Sequence, residues 1–384
     1  MRRPSKRVLI LVLAVIAVIP VLVASLAPQW LEPPDKAAAL AGFNRAYAGT
    51  VVVPAFDRLA SASAALATTA AEVCAGPDAA GPDAAGPDAA GLDRLATAFA
   101  ATADAWAGAQ QFRLGPLSDQ QHADRFAYWP ERRNIVDRQL AGLLAGSDAA
   151  ELSPAAFARQ SVAVQGLTAL ERLLFDDAAR QALLAGDAAA ARRCAVATAI
   201  ARNLSAIAGT CRDAWHEAER DPARAAAPFS ASAGEAAAQS LGNLMTILEV
   251  AADQKIAAPL GPSADQARPK AAEQWRSGRS LRDLRLNLET ARRSFAGDAG
   301  FATLLAAADP GTGARVAAAF DAVDKALAGV PEPLDRAVAD PAGRRALEEA
   351  RAALKQVEDL LRREAAPAMG ITLGFNELDG DGGS

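Results

Sequence analysis

Apolar residues recur at helical spacing along almost the whole chain. From Leu92 to Gln111, the residues Leu95, Phe99, Ala103 and Trp106 fall on one face, and from Gly234 to about Ala258 the stripe is Leu241, Leu244, Leu248, Ala251 and Ile256. The same period predicts helices over 36–74 with a kink at Pro54, and over 183–217, 300–308, 311–328 and 341–366. Ser153-Pro154 reads as a cap and first-turn proline opening a helix that continues to Phe175, and Ser280 as the cap of another, with Asp283 three residues on. Alternation of period two is confined to Ile371–Phe375, which reads as an extended segment. The pattern predicts an all-α fold of antiparallel helical bundles with little or no β structure. The first bundle spans 35–220, a linker rich in Pro, Ala and Ser spans 221–235, and the second bundle with a C-terminal tail spans 236–384.

Composition agrees with this reading. Of 384 residues, 51% are hydrophobic, and alanine dominates while β-branched residues are sparse. Between the first two helices, Gly-Pro-Asp-Ala-Ala runs three times from Gly76 to Ala90, a period too short for a solenoid and unable to continue a helix, so it reads as a surface loop without function. The net charge is −5, and no long basic run follows the first seven residues, which excludes a nucleic-acid surface. Arg2, Arg3, Lys6 and Arg7 precede an uncharged stretch from Val8 to Ala27, the pattern of an export signal. Cleavage after about Ala27 is the first reading and an inner-membrane anchor the second; both place the body in the periplasm, with membrane contact only through this segment. Three cysteines suit an oxidising compartment. Cys194 and Cys211 lie roughly 25 Å apart on one helix at 1.5 Å per residue, so a bridge must include Cys74. Antiparallel packing favours Cys194 as its partner, three buried thiols being the other reading.

Candidate chemistry centres on Gln165-Gly166-Leu167-Thr168-Ala169-Leu170-Glu171. Val164, Leu167, Leu174 and Phe175 form one apolar stripe, and Glu171 falls in the middle of it, so this helix buries a carboxylate that needs a cation or donors facing it. Thr168 lies one turn earlier on the same face. The segment Phe126-Ala127-Tyr128-Trp129-Pro130-Glu131-Arg132-Arg133 offers a partner: Arg132 or Arg133 as a bidentate companion of Glu171, with Trp129 excluding water, against a reading in which both arginines are solvated. Arg276, Arg279, Arg282 and Arg285 read as a solvated basic face, with an anion patch as the alternative. His216-Glu217-Ala218-Glu219 reads as a solvated helix end, and His122 as a loop residue without a neighbouring ligand.

Gly166, Thr168 and Glu171 together resemble the G-x-H-x-x-E signature of the imelysin-like family, with threonine where the family has histidine. The resemblance extends over Val52-Val53-Pro54, Gly115-Pro116, Trp129-Pro130, Ser280-Leu281 and the ending Gly370 to Gly382. It implies two helical bundles packed face to face with the signature at their interface. It also implies a periplasmic setting, a history as metallopeptidases and a link to iron acquisition. Loss of the histidine removes a ligand and proton shuttle, which makes Glu171 the one remaining candidate for metal. The expected function is therefore a non-catalytic binding or accessory protein. Its ligand would be a small molecule, a metal ion such as iron or another divalent metal, or a peptide, lined by Gly166, Thr168, Glu171, Trp129, Arg132 and Arg133, with envelope iron-uptake components as partners. A metallopeptidase or a purely structural envelope adaptor is the alternative. Asp379 and Asp381 offer too few oxygens for calcium, which takes roughly 6 to 8, and read as an acidic tail.

Overall fold

The computed structural model describes residues 34–75 and 87–373; the export segment, most of the repeat, and the tail with Asp379 and Asp381 lie outside them. Among the described residues all regular structure is helical and no strand occurs. The first group of helices is α2 (Val53–Ala75), α3 (Ala89–Ala109), α4 (Ile135–Ala145), α5 (Leu167–Phe175) and α6 (Ala188–Arg220). The second is α7 (Ala233–Glu249), α8 (Ser280–Ala296), α9 (Pro310–Ala328) and α10 (Pro341–Leu360). The pairs α2–α6, α2–α3 and α9–α10 form the main helix contacts, and α3 packs on α8 to join the two groups. The first helix, α1 (Pro34–Tyr47), belongs by sequence to the first group but lies against α7 of the second. Phe43 and Tyr47 of α1 pack against Phe301 with tilted rings, at 4.8 and 5.6 Å between centroids.

Three helices widen into π turns, at Ala48–Val52, Val250–Ala257 and Leu361–Ala365. Each lies just ahead of a proline, Pro54, Pro259 or Pro367. A proline inside a helix has no N–H to give and its ring crowds the carbonyl four residues back; the wider turn relieves that crowding while the helix continues. The kink expected at Pro54 therefore takes this form.

Several local expectations are corrected. Ser153-Pro154 opens only the short helix Pro154–Phe157, and the signature helix starts afresh at Leu167, after an extended Gly166 (φ −128, ψ −167). Residues 183–217 divide into Asp177–Leu184 and α6, whose first turn is capped by Asp187. The last repeat copy enters the fold: Asp88 caps α3 by accepting from the Gly91 N–H at 2.6 Å. Inside the stretch read as linker, Pro222–Ala226 is helical and packs on α1. Ser280 does not cap α8, because its hydroxyl donates to the Glu273 carbonyl at 2.6 Å. Ile371 is buried and its N–H donates to the Ala366 carbonyl at 2.9 Å, so the described part of the C-terminal segment closes a helix end and does not run as a strand.

Cys74 at the end of α2 and Cys194 near the start of α6 form a disulfide with Cα atoms 5.3 Å apart. Cys211 is left as a buried free thiol, and burial pushes its pKa up to about 12.

Candidate functional site

Gly166 is required by space. A Cβ there would lie 2.3 Å from the Phe126 carbonyl oxygen and 2.6 Å from that of Arg125, both backbone atoms that have no room to retreat. The strand-like residue thus lets the chain at 125–126 pass directly over the start of α5. Polar contacts fix this crossing: Arg125 Nε donates to Gln165 Oε1 at 2.7 Å, and Asn203 Nδ2 on α6 donates to the Gln165 carbonyl at 3.1 Å.

One turn into α5, Glu171 is only 2% exposed. Its companion comes from the other group of helices, 106 residues on: Oε1 accepts from the Ser277 N–H at 2.9 Å and the Ser277 hydroxyl at 2.7 Å. Burial raises the pKa of Glu171, opposed by the two Ser277 hydrogen bonds and by the Arg276 and Arg172 charges. Oε2 accepts no hydrogen bond among the described residues, and Glu171 lines a cavity.

Neither Arg132 nor Arg133 is that companion. Both are exposed, because Arg133 and Asn134 adopt left-handed backbone (φ 59 and 51) that turns the chain sharply into α4 and leaves their side chains outside. The same segment contributes Glu131 instead, which accepts from the Val136 N–H at 2.8 Å and pairs with Arg172. Arg172 is 4% exposed, and each nitrogen of its guanidinium donates one hydrogen bond, to Glu131, to Asp137, and to the Thr168 carbonyl at 3.0 Å. Thr168 lines the cavity but makes no hydrogen bond to Glu171.

The cavity has a volume of about 230 Å³ and lies between the two groups. One wall carries Thr168, Glu171, Arg172 and Trp129, and the other is the segment 270–276 ahead of α8. Trp129 is anchored to that segment, donating from Nε1 to the Ala271 carbonyl at 3.2 Å. Trp275 in the opposite wall has Arg276 4.4 Å and Lys270 5.1 Å from its ring centroid. Sequence reasoning missed Ser277, Lys270 and Trp275 as site residues, and reached Arg276 only as one of four arginines of a basic face with an anion patch as the alternative. Gly278 has left-handed backbone (φ 70) directly after the half-buried Trp275-Arg276-Ser277.

Three of the four arginines read as a solvated face bind the first group of helices. Arg276 Nε pairs with Asp176 at 2.8 Å, and Arg279 and Arg282 converge on Asp104 of α3. Arg285 pairs with Glu332.

Behind the cavity wall is a second polar cluster. Lys255, presented by the π turn after α7, is 3% exposed; it meets Glu273 at 2.5 Å, hydrogen-bonds Asn287, and lies 5.7 Å from the Trp129 ring centroid. Beside it Asp283 is 1% exposed with no hydrogen-bond partner for either carboxylate oxygen. Burial, and then the neighbouring Glu273 charge, drive the Asp283 pKa well above the ordinary carboxylate range, with Lys255 and Arg279 opposing. A carboxyl that stays protonated when folded stabilises the fold in acid. That contribution is complete below the unfolded pKa of about 3.9 and is lost as pH rises through the folded value. Asp283→Asn is therefore expected to flatten the pH dependence of stability and to gain about 1 kcal/mol or more at pH 8, since each pKa unit corresponds to about 1.4 kcal/mol. Urea unfolding at pH 5 and pH 8 checks it; parallel curves for the two proteins would show that Asp283 titrates normally.

Neither histidine lines the cavity. His122 is buried, its Nδ1 2.7 Å from the Pro116 carbonyl oxygen, a correction to its expected place in a polar loop. His216 sits between Asp57 (2.8 Å) and Glu219 (3.5 Å). Among the described residues no three His, Cys, Asp or Glu side chains gather as metal ligands.

The imelysin family model matches residues 52–361. Two solved structures share the fold. An imelysin-like protein from Psychrobacter arcticum 273-4 is 20% identical, with a TM-score of 0.70 over 88% of this chain and 98% of its own. A candidate iron-regulated protein A precursor from Parabacteroides distasonis ATCC 8503 is 15% identical, with a TM-score of 0.63 over 86% of this chain and 97% of its own. No curated protein matches the sequence.

Proposed function

The chain belongs to the imelysin family, and from that premise we propose that it is a non-catalytic binding or accessory protein of the cell envelope, holding a small ligand between its two groups of helices. One observation carries the reading: a buried carboxylate that lines a cavity on the signature helix has one oxygen fixed by Ser277 from the opposite side and the other without a hydrogen-bond donor among the described residues. Burying a carboxylate with an unpaired oxygen is costly, and a ligand donor would relieve that cost. The basic and apolar N-terminal pattern supports export to the periplasm. The name of the Parabacteroides neighbour supports iron homeostasis as the process.

A metallopeptidase is less well supported. Catalytic zinc usually has three protein ligands, and among the described residues no three His, Cys, Asp or Glu side chains gather around Glu171; the other acids of the lining, Glu131 and Glu273, are paired with Arg172 and Lys255. The signature histidine is Thr168, whose hydroxyl is a poor substitute as ligand or base.

Tryptophan fluorescence from Trp129 and Trp275 reports on both cavity walls. Titration of the purified protein with amino acids, citrate, ferric citrate and zinc is expected to give saturable binding of at least one of them, weakened about tenfold or more, or about 1.4 kcal/mol, in Glu171→Gln. Equal binding by both proteins would remove Glu171 from the site and reject the proposal.

A further inference from the structure

The charges around the cavity are not all of one sign, and their arrangement narrows the ligand class. Glu171 Oε2 is an acceptor with no protein partner, set on a residue 2% exposed. Across the cavity, Lys270 and Arg276 crowd a single indole, both within 5.1 Å of the Trp275 centroid. Lys270 is exposed and no carboxylate pairs with it among the described residues. Arg276 spends Nε on Asp176, and its terminal nitrogens make no hydrogen bond, with only a 4.0 Å approach to Asp137. Contact with the Trp275 ring stabilises each cation only modestly. An anionic group at this wall could pair with Lys270 and with the terminal nitrogens of Arg276.

Resting on the reading above, we infer that the ligand is a compact zwitterion. Its ammonium or other N–H donor meets Glu171 Oε2, and its carboxylate lies at the Trp275 wall, where Lys270 and Arg276 both approach the indole. A simple anion would leave Glu171 Oε2 without a donor, and a simple amine or bare metal ion would leave Lys270 without a counter-charge and meet the Arg276 head, whose Nε alone is paired closely, with Asp176. The volume of about 230 Å³ lies below the range of drug-sized sites, roughly 300–1,000 Å³, and suits an amino acid or dipeptide better than a large iron chelate. Lys270 and Arg276 thereby become specificity residues, deciding that the ligand carries a negative end.

The test is a matched set of probes titrated by tryptophan fluorescence and calorimetry. It comprises ω-amino acids from glycine to aminohexanoate, the dipeptide alanyl-alanine, the corresponding carboxylates and alkylamines lacking one charge, ferric citrate and zinc. At least one zwitterion is expected to bind about tenfold or more tighter than both of its singly charged homologues. Glu171→Gln should remove the advantage over the carboxylate homologue, and Lys270→Glu the advantage over the amine. Because Lys270 is exposed, Lys270→Glu is expected to fold normally by circular dichroism, so its effect reads recognition. If a singly charged probe, ferric citrate or zinc binds as tightly and still depends on Glu171, the zwitterion inference falls while the binding function stands. If no probe binds, or none depends on Glu171, both fall.

Discussion

Replacing Arg172 by leucine is expected to destabilise the fold by about 1–3 kcal/mol, because the acids it leaves unpaired, Glu131 and Asp137, are only partly buried and water screens them in part. The guanidinium is 4% exposed and holds three separate pieces of chain: Glu131 from the Trp129-Pro130 loop, Asp137 from α4, and the carbonyl of Thr168 one turn back on its own helix. Leucine keeps much of the volume, so the loss comes from Glu131 and Asp137, which then repel each other beside Glu171. Because Glu131 also accepts from the Val136 N–H, the start of α4 should fray in the same variant. Denaturant unfolding of Arg172→Leu should show a lower midpoint with little change in slope, and Arg172→Leu/Glu131→Gln should recover part of the loss. A midpoint matching the wild type would mean that the network contributes nothing.

Loss of the disulfide should have an effect at least as large. Cys74 and Cys194 are 120 residues apart in sequence, and closing a loop of that length restrains the unfolded chain by about 4–5 kcal/mol in the entropic account, with about 2–5 kcal/mol commonly observed. The bridge ties the end of α2 to the beginning of α6, helices that already pack along their length. Cys74→Ser/Cys194→Ser is therefore expected to keep its helical content while its thermal midpoint falls by several degrees. Reductant should lower the wild-type midpoint and leave the double variant unchanged; insensitivity of the wild type would show that the bridge adds no stability.

These expectations also show which features are readable from sequence. Helix rise excludes a Cys194–Cys211 bridge within one helix, and antiparallel order favours Cys194 as the partner of Cys74, with three buried thiols as the other reading; the structure has the Cys74–Cys194 bridge. Burial of Glu171 was legible from local pattern, since the apolar stripe around it lies within a few turns. Its partner was not. Ser277 is 106 residues away, has no charge to mark it, and acts half through a backbone N–H that every residue possesses. Arg132 and Arg133 were attractive by charge, yet two successive left-handed residues at 133 and 134 point that corner outward, a backbone choice that residue type does not announce. Ser153 looked like the natural start of the signature helix. The start is set instead by Gly166, where contact with the backbone of 125–126 interrupts the helix from outside. Asp283 read as part of a helix cap, and only the packing of Lys255 and Glu273 around it shows a sealed acid.

The π turn at Ala48–Val52 sets the phase of everything on either side of it. Such a turn amounts to one extra residue in an α-helix, and each residue rotates the side chains downstream by about 100°. Phe43 and Tyr47 upstream point to Phe301, whereas Phe56 and Leu59 downstream are buried with the first group of helices. Taking out a single residue between 48 and 52 would let an ordinary α-helix run straight through. Its two oily stripes would then fall out of step by about a quarter turn, so that seating one on its neighbours swings the other toward solvent. The molecule in effect uses a counting error in its first helix to let one rod serve two bundles at once.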